Sequence, residues 1–281
     1  MPLPFSALQS HGFSEAHIAL WEREWPGGGL LPLHERAVRD SGFLRGSNLA
    51  VFAPASAGKT FLGELAALRR FEAGRAAVWL VPTRALAEEK TRLFARRYAP
   101  LGLRVLCATR ERPENDPAIA RGGFDWLVAV SEKFAAHLTA RPGLLHRVGL
   151  IVADELHTLG DRDRGPAFDL LLTKLRHTPE GPQILALSAE TASAGALAGW
   201  LGAEALHFDT RPVDVFEGVV DVESGEVRAR SYNSGRVLQA PLAEFFTATQ
   251  GGGEDGPAAD AGGIPAPPRF AAGEEDPLQA E

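Results

Sequence analysis

Six apolar runs of strand length follow one another along the chain, and amphipathic stretches of helical length separate them. The runs read NLAVFA, AAVWLV, LRVLCA, DWLVAV, VGLIVA and PQILALS, and the helical stretches cover 60–71, 84–98, 132–139, 166–176 and 194–201. This alternation predicts an α/β fold in which a mostly parallel sheet carries helices on both faces. The runs do not alternate with polar residues, as expected for strands buried on both sides. Ligands of such sheets bind at the carboxyl ends of the strands.

Composition divides the chain into four segments. Residues 1–30 are predicted to be a lead-in to the α/β domain of 31–212, and 213–250 to be a linker-like segment. Residues 251–281 are rich in Gly, Pro, Ala and acids, so they lack the apolar surface needed to offset ordering and are predicted to be disordered. Residues 213–281 hold 13 acids and four bases, against 23 acids and 25 bases in 1–212. The net charge of −7 therefore belongs to the C-terminal part, and the body is near neutral.

The sequence predicts a soluble, cytoplasmic protein with no membrane partner. Cys107 is the single cysteine, so no intrachain disulfide can form, which fits a reducing compartment. The N-terminus lacks the basic and apolar regions of a secretory signal. No apolar stretch approaches the roughly 20 residues that span a bilayer.

Lysine is rare among the 29 basic residues. The four lysines are Lys59, Lys90, Lys133 and Lys174. In a chain that otherwise uses Arg, a lysine marks either a place that needs a compact ammonium group or the composition of the genome. The sequence leaves both explanations open.

The octet APASAGKT lies between the first apolar run and a helical stretch. It has the pattern of a phosphate-binding P-loop, except that Ala53 stands where the first Gly is usual. Backbone N–H groups of such a loop and of the following helix bind phosphates. Lys59 would reach the β- and γ-phosphates, and the Thr60 hydroxyl would bind Mg²⁺. The alternative is an ordinary turn between strand and helix. The predicted ligands are ATP and Mg²⁺, and the loop residues are Ala53, Pro54, Ala55, Ser56, Ala57, Gly58, Lys59 and Thr60.

Two adjacent carboxylates follow another apolar run, in VGLIVADELHTLGD. Asp154 would hold Mg²⁺, and Glu155 would orient and deprotonate the attacking water. The alternative is that Asp154 caps the next helix and Glu155 favours its first turn. A P-loop upstream favours the first interpretation.

With these motifs in place, the sequence resembles the first RecA-like domain of superfamily 2 DExH-box helicases. DELH resembles the family's second motif, and VPTRALAEEK resembles its motif Ia. LSAE resembles its motif III, and RPVDVFEGVV resembles the segment with which the family's chain leaves this domain. The subgroup of archaeal repair helicases and exosome-associated RNA helicases is the most similar. The resemblance covers about three quarters of the chain, and its motifs occur in the family's order.

The resemblance implies ATP hydrolysis coupled to movement along a nucleic-acid strand. It places Pro82, Thr83 and Arg84 against the phosphates of a single strand, DNA or RNA, and gives His157 and Ser188 coupling roles. Thr83 could instead cap the following helix, and Arg84 could be a solvated charge. Lys133 lies just beyond another strand, so it is predicted to reach the same strand of nucleic acid.

Four departures from the family pattern affect these expectations. His34 stands where the family has an adenine-reading Gln, Val130 and Ser131 replace Thr-Pro, and Glu190 replaces a Thr of motif III. No second strand–helix series follows residue 235, so the arginines of a second RecA-like domain are not found. The chain alone is therefore expected to hydrolyse ATP weakly, with a separately encoded second RecA-like domain as a partner. The alternative functions are a non-catalytic module that binds nucleic acid or protein, and an unrelated P-loop ATPase.

Overall fold

The computed structural model describes residues 3–189, 193–211, 215–242 and 244. Glu190 and the segment 251–281, which the sequence predicts to be disordered, lie outside these residues. The chain forms two compact units, Met1–Pro212 and Val213–Glu281.

The first unit is built on a seven-stranded sheet whose paired strands all run parallel. Its order is β3-β4-β2-β5-β6-β1-β7. All six predicted strands are present, which confirms the α/β fold. The strands are β1 (Leu49–Phe52), β2 (Ala76–Val81), β3 (Val105–Ala108), β4 (Trp126–Val130), β5 (Val148–Ala153), β6 (Gln183–Ser188) and β7 (Glu204–His207).

Helices cover both faces of this sheet. The helices are α1 (Glu15–Glu24), α2 (Pro32–Asp40), α3 (Lys59–Glu72), α4 (Arg84–Tyr98), α5 (Asp116–Ala120), α6 (Ser131–Ala140), α7 (Gly165–Arg176) and α8 (Ala194–Leu201). Short 3-10 helices cover Phe5–His11, Phe43–Arg45, Ala99–Leu101, Pro113–Asn115, Pro142–Arg147 and Leu156–Gly160. The five predicted helical stretches correspond to α3, α4, α6, α7 and α8.

Successive strand residues belong to two separate hydrophobic cores, one on each face of the sheet. Trp79 belongs to the core that also contains residues of α3, α4 and the N-terminal segment (residues 3–30). Its neighbour Val78 belongs to the core that contains residues of α6, α7 and α8. Burying each large side chain contributes about 1.5–3 kcal/mol, so continuous apolar runs favour a sheet covered on both sides. Helix α3 approaches the sheet at Gly63, where a Cβ would lie 2.4 Å from Trp79. Any larger residue there would push α3, and the loop before it, away from the sheet.

The N-terminal segment packs on the first turns of α3. Phe5 and Trp21 are buried, and their rings lie 5.9 and 5.3 Å from that of Phe61. Aromatic pairs at such separations add to the free energy of burial. This segment thus supports the helix that begins with Lys59.

The second unit contains a three-stranded antiparallel sheet, with the order β10-β9-β8. Its strands are β8 (Phe216–Val220), β9 (Glu226–Ser231) and β10 (Val237–Pro241). They lie within the predicted linker-like segment 213–250, and none of them is among the six strands predicted from apolar runs. Among the described residues of the whole chain, no helix has the length and apolar character needed to cross a membrane.

Candidate nucleotide site and adjoining groove

The loop between β1 and α3 joins the end of a strand to the N-terminus of a helix through tight turns. Gly58 has a φ of 94°, in the left-handed region, and caps the N-terminus of α3. A Cβ on Gly58 would lie 2.3 Å from His34 Nε2, so glycine is needed both for the backbone angle and for space. Ser56 also has a positive φ, of 66°. The N–H groups in the first turn of a helix that follows such a loop are suited to bind an anion.

Lys59, the first residue of α3, lies over its own loop. Its ammonium donates to the carbonyls of Ala53 (2.6 Å) and Pro54 (3.0 Å). Burial lowers the pKa of Lys59, the charges of Glu155 and Asp154 raise it, and those of Arg211 and Lys90 lower it again. The lysine is therefore close enough to both predicted carboxylates to respond to their charge.

His34 is fixed by hydrogen bonds at both ring nitrogens. Nδ1 accepts from the Leu31 N–H at 3.1 Å, so Nε2 carries the proton and donates to the Gly58 carbonyl at 2.9 Å. Burial lowers the pKa of His34 to about 4, which keeps the ring neutral at neutral pH. In this arrangement His34 holds the loop in place and has no ring nitrogen left for an adenine. Its predicted place in the nucleotide site stays a prediction.

Asp154 follows β5 and turns its carboxylate toward the interior. Its backbone N–H donates to Leu80 at 3.0 Å, which continues the β2–β5 ladder by one residue. Oδ1 accepts from the Glu155 N–H (3.1 Å), and Oδ2 accepts from Trp79 Nε1 (3.3 Å) and lies 3.0 Å from Lys90 Nζ. The alternative in which Asp154 caps the next helix is not what the structure shows, because Glu155 is the N-cap residue of the 3-10 helix Leu156–Gly160 and no side chain caps that helix.

Glu155 occupies a strained backbone position at the carboxyl edge of the sheet. Its φ of 52° lies in the left-handed region, where a non-glycine residue costs of order 1–3 kcal/mol and often marks a functional site. Its side chain is partly exposed, and Oε2 lies 3.4 Å from His157 Nδ1. The turn separates the two carboxylates, so that Asp154 faces inward and Glu155 outward.

Ser188, at the end of β6, adjoins the start of the loop. It pairs with Phe52, and its carbonyl accepts from the Ala53 N–H at 3.1 Å. The predicted motif III and the P-loop are therefore joined by a backbone hydrogen bond. Glu190 lies outside the described residues, so its departure from the family pattern has no structural counterpart here.

The donor set near Thr60 and Asp154 suits Mg²⁺. Lys90 Nζ lies 3.4 Å from Thr60 Oγ1 and 3.0 Å from Asp154 Oδ2, so the hydroxyl and the carboxylate face a common point. Hard oxygen donors of this kind match Mg²⁺, which usually keeps waters and phosphate oxygens as its other ligands. Accordingly, the described residues contain no cluster of three or more acidic, His or Cys side chains that could enclose a metal.

Beside the loop lies a cavity of about 570 Å³. Its wall includes Leu31, Gly58 and Phe61 on the loop side and Trp25 from the N-terminal segment. A cavity of this volume with aromatic walls fits a small planar ligand. Of the predicted nucleotide-site residues, His34, Gly58 and Thr60 contribute to it.

A second, larger cavity of about 810 Å³ lies at the carboxyl ends of β2 and β4. The structure brings all four predicted strand-contacting residues to this groove, which is lined by Pro82, Thr83, Arg84, Lys133 and also by Arg110 and Arg164. The Thr83 side chain accepts from the Leu86 N–H at 3.3 Å, so it does cap α4. Val130, one of the departures from the family pattern, lies in the wall as well.

Acidic residues partly neutralise the groove. Arg84 forms an ion pair with Glu111, and Lys133 pairs with Asp116 at 2.6 Å. Arg110 and Arg164 are exposed, and sequence reasoning did not select them. Of the two, only Arg110 could have been placed at the carboxyl ends of the strands from sequence, because it follows β3.

Comparison with known proteins agrees with this geometry. Residues 34–195, more than half of the chain, match the family model described as DEAD/DEAH box helicase. The chain belongs to the DEAD/DEAH box helicase family. The matched region runs from His34 through the P-loop and the DELH motif to the start of α8, so it covers the predicted nucleotide site.

Within this helicase family, the chain is similar to archaeal proteins named ATP-dependent DNA helicase Hel308. It is 40% identical to that of Thermococcus kodakarensis over 191 residues (68% of this chain and 16% of the relative). It is 36% identical to that of Pyrobaculum calidifontis over 230 residues (81% and 32%) and 37% identical to that of Pyrococcus horikoshii over 180 residues (64% and 24%). The predicted resemblance to the archaeal repair-helicase subgroup is confirmed. The chain spans at most about a third of these relatives' length.

Proposed function

We propose that this helicase-family domain binds Mg²⁺–ATP between the P-loop and the DELH motif, and that the isolated chain hydrolyses it weakly. One observation carries the proposal: Asp154, which is distant in sequence, lies beside Lys59 and Thr60 at the N-terminus of α3. The loop N–H groups and Lys59 would hold the phosphates, and Thr60 and Asp154 would hold Mg²⁺. When bound, Mg²⁺ would neutralise phosphate charge.

Glu155 is the proposed base. Its carboxylate lies at the rim, on the carboxyl side of β5, where it can accept a proton from a water aligned with the terminal phosphate. Its backbone, held in the left-handed region, keeps it apart from the metal-binding Asp154. His157 contacts Glu155 and would transmit its state to neighbouring segments, in the proposed coupling role that it shares with Ser188.

Weak hydrolysis by the 281-residue chain follows from the chemistry of this class of reaction. An arginine supplied from outside the loop contributes ~10³–10⁵ in rate in P-loop enzymes. We propose a second RecA-like domain, separately encoded or otherwise supplied, as the partner that provides it.

Nucleotide binding is tested with a fluorescent ATP analogue titrated in the presence of Mg²⁺. Wild type should give saturable binding, and Lys59→Ala should lose it, because the variant lacks the ammonium that would pair with the negative charge of the phosphates. Lys174→Ala, which removes an exposed lysine of α7, is the matched control and should bind like wild type. Equal binding by Lys59→Ala and wild type would refute the proposed site.

We further propose that single-stranded nucleic acid lies in the groove at the ends of β2 and β4. The groove collects Arg84, Arg110, Lys133 and Arg164, together with the N-terminus of α4. Phosphates are commonly bound by Arg, Lys, hydroxyls and helix N-termini. Because the relatives are named as DNA helicases, single-stranded DNA is the first strand to test, with RNA beside it.

The ion pairs of Arg84 and Lys133 make this binding weak. Arg84→Ala should weaken strand binding without changing ATP affinity. Arg121→Ala, which removes an exposed arginine just before β4, at the amino ends of the strands, should leave strand binding unchanged. Deleting 251–281, which holds seven acids and one Arg, should strengthen binding at low salt. On a single strand, log K falls by roughly 0.7 per phosphate contacted as log salt rises, so the slope should be shallow.

Fluorescence anisotropy with a labelled 20-mer at several salt concentrations measures these effects. If neither the full chain nor the deletion binds at low salt, the groove is not a strand site. The alternative of a non-catalytic protein-binding module would then be favoured, in agreement with the neutralised groove.

A further inference from the structure

Lys90 is a buried lysine that the proposed chemistry leaves without a role. It lies on the second turn of α4, and only 11% of its side chain is exposed. The sequence singled it out as one of four lysines in a chain that otherwise uses Arg. Buried lysines are rare unless their charge is paired, so its surroundings need an explanation.

The ammonium of Lys90 contacts both proposed Mg²⁺ ligands. Its Nζ lies 3.0 Å from Asp154 Oδ2 and 3.4 Å from Thr60 Oγ1, and 5.5 Å from the centre of the Trp79 ring. Trp79 Nε1 donates to the same Oδ2 atom. A compact ammonium therefore occupies the position between a carboxylate and a hydroxyl that a small divalent cation would need.

We infer that the Lys90 ammonium takes the place of the metal ion when none is bound. It neutralises and orients Asp154 in the metal-free protein, and it competes with Mg²⁺ for that carboxylate. The inference rests on the proposed function. Lys90 is a positioning residue, since it acts through Asp154 and Thr60 and not on the reacting atoms.

Competition follows from charge. An ammonium and Mg²⁺ beside one buried carboxylate repel each other, and that repulsion is stronger than in water. Lys90 stabilises the metal-free state, so any free energy it contributes there opposes metal binding by linkage. When the metal enters, the flexible four-carbon stem lets the ammonium swing toward the adjacent cavity, whose wall contains Lys90 and Glu89.

A lysine with only a structural role predicts the opposite effect on Mg²⁺. If Lys90 merely held Asp154 in place for the metal, its removal would disorder the ligand and raise the Mg²⁺ concentration required. If it competes with the metal, removal lowers that concentration. The sign of the change therefore distinguishes the two roles.

The test is a titration of Mg²⁺ at fixed fluorescent ATP analogue, with wild type, Lys90→Met and Lys90→Gln. We expect the half-saturating Mg²⁺ concentration to fall by roughly three- to tenfold in both variants. Lys174→Met makes the same chemical change at an exposed site and should leave the half-saturating Mg²⁺ concentration unchanged. An unchanged or raised Mg²⁺ requirement in the Lys90 variants, with Mg²⁺-dependent binding by wild type, would overturn the inference.

A second measurement needs neither nucleotide nor metal. In EDTA, Lys90→Met should lower the thermal unfolding midpoint, because Asp154 is left buried without a cation. In the Asp154→Asn background the same substitution should have little effect. If wild type binds no nucleotide at any Mg²⁺ concentration, the proposed function fails, and this double-mutant cycle decides alone: equal effects in both backgrounds would rule out Lys90 as the partner of Asp154.

Discussion

Replacing Glu155 with Gln is expected to lower the rate of ATP hydrolysis by roughly two to four orders of magnitude, the range that general acid–base catalysis contributes. Gln has nearly the same shape but cannot accept the proton of the attacking water. ATP affinity should be retained, because the proposed phosphate and metal contacts come from Lys59, Thr60 and Asp154. Loss of rate with retained binding is the signature of a base.

Single-turnover hydrolysis with protein in excess over labelled ATP measures this effect, because turnover by the isolated chain is expected to be slow. The chain provides a closely matched control in Glu180, which also has a positive φ, of 53°, and is exposed in the segment between α7 and β6. Glu180→Gln makes the same chemical change in the same backbone conformation, but just before β6, at the amino ends of the strands. A Glu155→Gln variant that hydrolyses ATP like Glu180→Gln would rule out Glu155 as the base.

The parallel sheet was predictable because its strands are buried on both faces and each reads as one apolar run. Strand β7 has no such run: it lies at the sheet edge, and Glu204, Ala205 and His207 are exposed. The strands of the second unit were also missed. In β9, buried Val227 and Ala229 alternate with Arg228 and Arg230, a period-two pattern that a search for continuous apolar runs passes over.

The candidate nucleotide site could be proposed from sequence where its residues are contiguous and follow a strand, as Lys59 and Thr60 follow β1. Contacts between segments that are distant in sequence could not be predicted. Lys90 meets Asp154 only because β2 and β5 are neighbours in the sheet, with Leu80 paired to Ala153. The engagement of both nitrogens of His34 likewise depends on how α2 lies against the loop, and no local pattern records that.

Replacing Arg97 with Met is expected to destabilise the first unit by about 3–5 kcal/mol, as measured when one partner of a buried ion pair is removed. Arg97 Nη1 donates to both carboxylate oxygens of Glu64, at 2.8 and 2.7 Å, and Glu64 is 1% exposed. Burial raises the pKa of Glu64 and the charge of Arg97 opposes that shift, so without Arg97 the carboxylate must be buried unpaired or take up a proton. Either outcome costs free energy relative to the paired state.

The pair also joins three segments that surround the candidate nucleotide site. Glu64 is on α3, Arg97 is on α4, and the Arg97 guanidinium lies 4.7 Å from the centre of the Trp25 ring and 3.5 Å from Glu24 at the end of α1. Removing Arg97 should therefore loosen the N-terminal segment as well as α4. Urea unfolding followed by tryptophan fluorescence measures the loss, since Trp25 reports on this contact.

The Glu64→Met, Arg97→Met double variant separates an unpaired charge from lost packing. Replacing a buried ion pair by apolar side chains of similar volume is often neutral or stabilising. The buried Tyr98 hydroxyl also donates to Glu64 and loses this acceptor in the double variant, so the double variant should recover part of the stability. Arg112→Met removes an exposed arginine paired with Glu88 and should change stability little. A double variant no more stable than Arg97→Met would show that the unpaired Glu64 carboxylate is not the main cause of the loss in Arg97→Met.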